Sequence, residues 1–387
     1  MVLNPPVRVS TQVHHFDDFA EGAAELLQGR PYSLISSNGW ITRGAVERLK
    51  KACGSPVRLV SDIPPNPTLK DVVSAPTSPA GDDVVVALGG GSVIDAAKGV
   101  VALQALDGDV DALNRHLCDG EDLSFPAVPQ DIIAVPTTSG TGSEITKWGT
   151  IWGDGGVKYS VKHDDLAPVD AIIDPSLLVS MPADLTISTA LDAMSHAMES
   201  VWNRRHNAFC DSIAEQAIRR VRELLPLVLA APDDKVLRGE MHAASMMAAI
   251  VMGTTQTALA HSISYPFTAM FGIPHGYACS FSLGELIRYN GGERPDRMIP
   301  IARAFDCQVE DLADSVENFL TRFGVGETMQ KYVTIEQVEA LGDDLITRAR
   351  AANNVREVDG ARARELASAA LRSLAACASY DANTRRA

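Results

Sequence analysis

The chain has 387 residues, 46% hydrophobic and 21% charged, and its 49 acidic side chains outnumber 34 basic ones to give a net charge of −15. This composition is typical of a globular protein and excludes a disordered or fibrous chain. A surface this acidic repels nucleic-acid phosphates and anionic lipids. We therefore expect neither nucleic acid nor a membrane as a partner. An anionic small molecule would need a locally basic pocket, because the overall electrostatic potential of the chain is negative.

The cysteine pattern is that of free thiols. Six cysteines are scattered without a CxxC pair, which indicates neither a zinc knuckle nor a disulfide framework. Free thiols fit a reducing compartment and the first residues lack an apolar signal core, so we expect a cytoplasmic protein. Histidines, prolines and glycines interrupt the long uncharged stretch 241–284, which favours a buried helical core over a membrane span.

Apolar, β-branched runs alternate with helical patterns through the first half, which predicts a mostly parallel sheet covered on both faces. The predicted strands are Tyr32–Ser36, Val57–Ile63, Asp83–Leu88, Asp131–Pro136 and Val169–Asp174. The helical patterns between them are Thr42–Ala52 and Ser92–Leu106. A hairpin is predicted from Thr146–Trp152 and Val157–Val161, joined by the turn Gly153-Asp154-Gly155-Gly156.

Long helical patterns dominate after Pro175. They are Ile187–Asn203, Ala208–Ala230, Leu237–Met252, Thr255–Tyr265, Val309–Phe323, Ile335–Arg350 and Gly360–Ser379. At about 100–200 residues per domain the length allows two domains. We therefore expect an α/β domain with a Rossmann-like parallel sheet over residues 1–180 and an all-α domain over residues 181–387.

Two loops that follow predicted strands offer phosphate-binding chemistry. The first, GGGSVIDAAKG from Gly89 to Gly99, opens a helix, whose free N–H groups can bind an anion that glycines let approach closely. It matches neither GxGxxG nor a P-loop, and alone it could be a tight strand-to-helix turn. The second, PTTSGTGSE from Pro136 to Glu144, also leaves the carboxyl edge of the sheet, where ligands bind in open α/β folds. Two such loops from one sheet favour nucleotide binding.

One aspartate and three histidines form a candidate metal site. Asp192 and His196 are four residues apart and share a helix face. His261 and His275 fall in the uncharged stretch, where an unpaired polar group is costly to bury. Each histidine alone is more simply a core residue, but a shared Fe²⁺ or Zn²⁺ explains them together. Of the other histidines, we expect His14, His15 and His116 at the surface and His242 in helix packing.

These motifs, in this order, resemble the iron-containing (group III) alcohol dehydrogenases, whose fold is shared with glycerol dehydrogenase and dehydroquinate synthase. The resemblance rests on PNPT, GGGSVIDAAK, PTTSGTGSE, IDPSL, LDAMSHAME and HSISYPFTAMFGIPHG, and covers nearly the whole chain. It implies an iron-dependent, NAD(P)-linked oxidoreductase with a dinucleotide in the first domain and the metal in the second. The implied metal ligands are Asp192, His196, His261 and His275. The implied cofactor contacts are Asn66, Gly90, Gly91, Ser92, Thr137, Thr138, Lys158 and Leu185.

The chain departs from the family pattern at two places. Where NAD-preferring members have an acidic residue after the second strand, this chain has Ser37, so we expect NADPH to be tolerated or preferred over NADH. Arg43 is a candidate partner for a 2′-phosphate, or simply a surface arginine. Where many members have a further histidine near the nicotinamide, this chain has Tyr265, which is either a substitute proton relay or a core tyrosine.

Within the family the chain most resembles the phosphonoacetaldehyde reductase (hydroxyethylphosphonate dehydrogenase) branch, in KWGTIW, SHAMESVWNRRHNAF and TALAHSISYPFTAMFGIPHG. This implies reduction of an anionic aldehyde in phosphonate biosynthesis, with Lys147, Trp148 and Arg204 as candidate substrate contacts. A general short-chain alcohol dehydrogenase, a dehydroquinate-synthase-like lyase and a non-catalytic binding protein are the alternatives. The resemblance also implies a homodimer.

Overall fold

A computed structural model describes residues 9–75, 83–153, 157–342, 345–346 and 348–384. It contains a parallel six-stranded sheet, a two-stranded hairpin and a C-terminal array of helices, which confirms the predicted fold class. The strands are β1 Gln12–His15, β2 Tyr32–Ser36, β3 Arg58–Val60, β4 Val84–Gly89, β5 Ile132–Pro136, β6 Trp148–Trp152, β7 Lys158–Lys162 and β8 Asp170–Ile173.

The helices divide between the two halves of the chain. Those of the sheet half are α1 Phe19–Leu27, α2 Asn38–Thr42, α3 Ala45–Cys53, α4 Leu69–Ser74, α5 Gly91–Ala105 and α6 Val110–Asp119. Those of the helical half are α7 Ala183–Val201, α8 Ala208–Ala230, α9 Lys235–Thr255, α10 Leu259–Phe271, α11 His275–Ser280, α12 Leu283–Gly291, α13 Ile299–Phe305, α14 Leu312–Arg322, α15 Val325–Gln330, α16 Ile335–Glu339, α17 Arg348–Ala351 and α18 Gly360–Thr384.

The sheet has the order β1-β8-β5-β4-β2-β3, with every neighbouring pair parallel. Side chains alternate between its two faces: Val86 and Leu88 pack with α1 and α3, whereas Val85 and Ala87 pack with α5. Burial on both faces explains why the central strands are continuous apolar runs.

The five predicted strands are all present, with their ends shifted by up to three residues. The hairpin forms as β6 and β7, although residues 154–156 of its predicted turn lie outside the described residues. The edge strand β1 has no counterpart in the prediction. The predicted helix Thr42–Ala52 is interrupted at Gly44, whose φ of +82° ends α2 and begins α3.

In the helical half, α8 matches its prediction at both ends. The single helix predicted over Ile335–Arg350 is wrong: the described residues there form the short α16 and α17. His116 is also not at the surface, since it is 3% exposed and its Nε2 accepts a hydrogen bond from the Lys162 backbone at 3.2 Å. The hairpin covers His116. The polar sequence of α6 gives no sign of this burial.

One large apolar core joins α7–α15 with α18 and contains the long uncharged stretch. Within the described residues no single helix is long and apolar enough to cross a membrane. The pair α9 and α10 would pass by length and composition only, and it is bent by 106°.

Candidate functional site

The two glycine-containing loops lie side by side at the carboxyl edge of the sheet. β4 ends at Gly89 and α5 begins at Gly91 after one extended residue, Gly90. A Cβ on Gly91 would lie 2.6 Å from the Thr141 hydroxyl oxygen, and one on Gly90 would lie 3.2 Å from the Thr138 side chain. Only glycine permits so close an approach, so the first turn of the 15-residue helix α5 is open to an anion beside the second loop.

The predicted cofactor residues gather around this helix end. The Asn66 backbone N–H donates to Ser92 Oγ at 3.2 Å, and the Trp40 indole N–H donates to Thr137 Oγ1 at 3.1 Å. Ser37 directly follows β2, the neighbour of β4 in the sheet. Leu185 lies 40% exposed in the first turn of α7, one turn before Thr189, which packs against Gly140 of the second loop.

A buried polar network supports both loops from below. Lys98 of α5 is fully buried, and its ammonium donates to the Ser143 carbonyl at 2.7 Å, to Ser143 Oγ at 2.9 Å and to the Trp148 carbonyl at 2.7 Å. Ser143 Oγ in turn donates to Asp95 at 2.5 Å. Burial lowers the pKa of Lys98 to about 8, against the opposing pull of Asp95 and Glu144. The network ties α5, the second loop and β6 together.

Three of the predicted metal ligands, all histidines, converge on a carboxylate oxygen of the fourth, Asp192. Asp192 Oδ1 lies 3.3 Å from His261 Nε2, 3.7 Å from His196 Nε2 and 3.9 Å from His275 Nε2. The His196 and His261 rings stack with their centroids 4.6 Å apart. We call these four residues the donor cluster. α7, α10 and α11 each contribute to it.

A thiol adjoins the donor cluster. Cys279 Sγ lies 3.5 Å from His275 Nε2. Four residues each place one potential ligand atom within 4.8 Å of those of the others: Asp192, His261, His275 and Cys279. That grouping contains Cys279 in place of His196. Cys279 is not among the ligands predicted from the sequence, although it stands one helical turn after His275.

The electrostatics of the donor cluster suit cation binding. Burial alone would raise the pKa of Asp192, but the three imidazoles outweigh it and hold that pKa well below its usual range. Burial lowers the pKa of His196 to about 4, and burial together with Lys158 lowers the pKa of His275. Burial also opposes protonation of His261, but Cys279 and Glu199 raise its pKa. The aspartate is therefore ionised, and two of the three imidazoles are neutral, as metal ligands must be.

Glu199 supports the donor cluster from behind. Its Oε2 lies 2.6 Å from His261 Nδ1, and its Oε1 accepts the His261 backbone N–H at 3.2 Å. His261 Nε2 is then directed at Asp192. A carboxylate that contacts the outer nitrogen of a ligand histidine is common in metal sites. Glu199 is not among the residues predicted from the sequence, although its place one turn after His196 on α7 was an available signal.

The hairpin brings the sheet domain up to the donor cluster. Lys158, the first residue of β7, has its ammonium 3.5 Å from His275 Nε2 and 4.5 Å from the centre of the Tyr265 ring. The Tyr265 ring stacks on His275 with centroids 6.2 Å apart. Loss of hydration would raise the pKa of Tyr265, but the charges of Lys158 and Arg350 lower it overall. The predicted relay residue is therefore beside the donor cluster.

The three predicted substrate residues are not brought together. Trp148 lies on β6, with the Arg350 guanidinium 5.4 Å from the centre of its ring. Lys147 instead pairs with Asp164. Arg204 donates to the Asn354 carbonyl at 2.9 Å and pairs with Glu357 at 3.3 Å, on the wall of a cavity of about 500 Å³.

Comparison with known proteins identifies the family of this chain. The model described as "Iron-containing alcohol dehydrogenase" matches residues 6–175, and "Fe-containing alcohol dehydrogenase family, C-terminal" matches residues 186–371. The 4-hydroxybutyrate dehydrogenase of Cupriavidus necator is 30% identical over 76% of this chain and 79% of its own. A 1-propanol dehydrogenase of Citrobacter freundii is 33% identical, over 66% of each chain. The match thus spans slightly less than two thirds of that relative.

Among solved structures, the sulfoacetaldehyde reductase of Bifidobacterium kashiwanohense in complex with NAD⁺ superposes with a TM-score of 0.83 at 27% identity, covering 97% of this chain and 99% of that one. This chain belongs to the iron-containing alcohol dehydrogenase family.

Proposed function

We propose that this protein reduces a small aldehyde to a primary alcohol with a hydride from a nicotinamide cofactor. The observation that carries the proposal is the convergence of three imidazole nitrogens within 3.3–3.9 Å of Asp192 Oδ1, beside Lys158 of the sheet domain. A cofactor on the sheet edge and an aldehyde at the donor cluster would then meet between the domains.

The donor cluster fits a divalent metal ion. One carboxylate and three imidazoles suit Fe²⁺ or Zn²⁺, and His196 Nδ1 is a buried atom with no hydrogen-bond partner among the described residues. We propose that Asp192, His196, His261 and His275 hold Fe²⁺, with Zn²⁺ as the alternative. When bound, the ion would act as a Lewis acid toward the carbonyl oxygen of the aldehyde.

The chain's own residues would position the reactants and supply a proton. The N-terminus of α5 at Gly90, Gly91 and Ser92 offers N–H groups to the pyrophosphate. The remaining proposed cofactor contacts are Asn66, Thr137, Thr138, Lys158 and Leu185. We propose that the Tyr265 hydroxyl relays a proton from water to the product oxygen, which its position beside His275 and its lowered pKa favour.

We propose that NADPH is tolerated or preferred over NADH. A Cβ on Gly39 would lie 3.0 Å from an Arg43 guanidinium nitrogen and 3.9 Å from Ser37 Oγ, so a cation and a hydroxyl flank this backbone position after β2. A 2′-phosphate would meet no carboxylate at Ser37 and could pair with Arg43. Arg43→Ala should raise the KM for NADPH and leave that for NADH nearly unchanged. An equal change for both cofactors would contradict this.

For the substrate we propose phosphonoacetaldehyde, reduced to 2-hydroxyethylphosphonate in phosphonate biosynthesis. Two relatives carry anionic substrates in their names, sulfoacetaldehyde and 4-hydroxybutyrate. Lys147, Trp148 and Arg204 are the proposed substrate contacts from the sequence. The second candidate is a general short-chain alcohol dehydrogenase, which the similarity to a 1-propanol dehydrogenase favours. We also propose a homodimer through an edge of the sheet, where β1 and β3 lie.

The test is an anaerobic assay with added Fe²⁺, using both NADH and NADPH against phosphonoacetaldehyde, acetaldehyde and propanal. We expect kcat/KM to be highest for phosphonoacetaldehyde; equal values would favour the second candidate. His261→Ala or His275→Ala should lose bound metal and turnover together. His14→Ala, which removes a histidine paired with Asp170 in the sheet domain, is the matched control. Turnover by a metal-free preparation would overturn the metal assignment.

A further inference from the structure

Three cations lie over two aromatic rings, that of Tyr265, which stacks on His275, and that of Trp148 on β6. The Lys158 ammonium lies 4.5 Å from the centre of the Tyr265 ring, the Lys162 ammonium 5.7 Å from that of Trp148, and the Arg350 guanidinium carbon 5.4 Å from that of Trp148. Two of the cations come from the hairpin strand β7 and the third from α17 of the helical half. The group therefore combines residues of the hairpin with one of the helical half.

These cations have no compensating carboxylate close by. Among the residues that the structure describes, none of the three lies within 4.0 Å of an acidic oxygen. Arg350 donates from one terminal nitrogen to the neutral amide oxygen of Gln256 at 3.0 Å, which leaves its charge uncompensated. In a chain of net charge −15, three cations that lie over two aromatic rings without an acidic partner are a local exception to the excess of negative charge.

Position relates this group to the proposed reaction. Lys158 is 3.5 Å from His275 Nε2, and the Tyr265 ring is nearly parallel to His275, with 16° between their planes. α17, which carries Arg350, packs on α10, which carries His261 and Tyr265. Because α17 packs on α10, a molecule with its carbonyl at the donor cluster would extend along α10 toward Arg350, while Lys158 stays at the carbonyl end.

We propose that Arg350 binds the anionic group of the substrate, with the charge of Lys162, which also lies over Trp148, adding to the local positive potential. The inference rests on the aldehyde reduction proposed above. A guanidinium matches the oxygens of a phosphonate, sulfonate or carboxylate through two parallel N–H bonds, and Arg350 has its Nε and second terminal nitrogen available for this. The substrate class is therefore a short aldehyde with an oxyanion at its far end.

Arg350 is a better anion partner than the arginine predicted from the sequence. Arg204 already pairs with Glu357 and donates to the Asn354 carbonyl, so its charge is compensated. An anion there would compete with a carboxylate. At Arg350 the same anion would remove an unpaired charge, whereas a neutral aldehyde would leave it unpaired, which gives selectivity as well as binding.

The experiment compares wild type with Arg350→Gln and Arg350→Lys. We expect Arg350→Gln to lower kcat/KM for phosphonoacetaldehyde and sulfoacetaldehyde roughly 10- to 100-fold while propanal changes less than about 2-fold. Arg350→Lys should restore part of the loss, since the charge remains but the paired geometry does not. Arg322→Gln, which removes a different arginine lying over an aromatic ring, should leave all three substrates unchanged.

A binding measurement separates this inference from the proposed function. Ethylphosphonate and ethanesulfonate are titrated calorimetrically into the protein with NADP⁺ bound, which requires no turnover. Weaker binding to Arg350→Gln, with Arg322→Gln like wild type, supports the subsite even if no aldehyde is reduced. Equal binding to both variants, or an equal fall in kcat/KM for propanal and the anionic aldehydes, overturns it. A larger loss for phosphonate than for sulfonate would identify the dianion as the preferred group.

Discussion

Glu199 holds His261 by both of its carboxylate oxygens, one 2.6 Å from the ring Nδ1 and the other 3.2 Å from the backbone nitrogen. Ring orientation and chain position are thus set by one buried side chain. Because the ring nitrogen facing Glu199 is engaged, the other faces Asp192, and an acceptor behind a ligand imidazole strengthens its bond to a metal.

Glu199→Gln should therefore weaken metal binding without removing any donor. We expect the dissociation constant for Zn²⁺ to rise about 10- to 100-fold, the usual effect of removing such a supporting group. A competitive chelator titration measures it. Ser200→Ala, which removes the hydroxyl that bonds the Ala197 carbonyl on the same helix, is the control. Equal affinity in wild type and Glu199→Gln would show that Glu199 only fills space.

Gly276 places the donor residue His275 against α7. A Cβ on Gly276 would lie 1.7 Å from the Ser188 carbonyl oxygen, and backbone cannot rotate away as a side chain can. Gly276→Ala should move α11 off α7, costing about 1–3 kcal/mol or more in unfolding free energy and reducing bound metal. Gly342→Ala, at a position with open space around it, should be neutral in the same denaturation and metal assays. Full metal content in Gly276→Ala would contradict this account.

The sequence predicts best those parts of the fold whose burial gives a regular hydrophobic pattern. The central strands are buried on both faces and read as apolar runs, so β2 was found at both ends. β1 is QVHH, half-exposed at the sheet edge, and carries no such run. Only its parallel pairing with β8 makes it a strand, and that pairing spans more than 150 residues of chain. The sequence around it gives no local signal for so distant a contact.

The site follows the same division. Asp192 and His196 were placed together by helical spacing, and Glu199 could have been found by extending that spacing one turn. Arg350 could not have been found in this way, because α17 is a single short turn in a stretch with little helical periodicity. It reaches the site only because α17 packs on α10. Contacts between distant segments, rather than residue types, bring it to Trp148.

Lys98 supports the two glycine-containing loops through three hydrogen bonds from one fully buried ammonium. Lys98→Met keeps the volume but removes every one of them and leaves Asp95 buried without its cation. We expect a loss of about 1–3 kcal/mol in unfolding free energy, because buried acceptors at Ser143 and Trp148 are left without their charged donor. Urea denaturation measures it, with the exposed Lys70→Met on α4 as the control. A loss no larger than that of the control would mean that Lys98 is dispensable.

Glu144 should make stability fall as pH rises. Burial raises its pKa from 4.5 to about 7, so between these values the folded chain holds a proton that the unfolded chain has released. Ionisation is then penalised in the fold, and stability declines from pH 4.5 to 7 by on the order of 3 kcal/mol and stays constant above. Glu144→Gln has no proton to lose. Its stability relative to wild type should therefore rise across this window in urea denaturation series, whereas the exposed Glu25→Gln should show no such rise. A constant difference between Glu144→Gln and wild type would show that Glu144 ionises freely in the folded state.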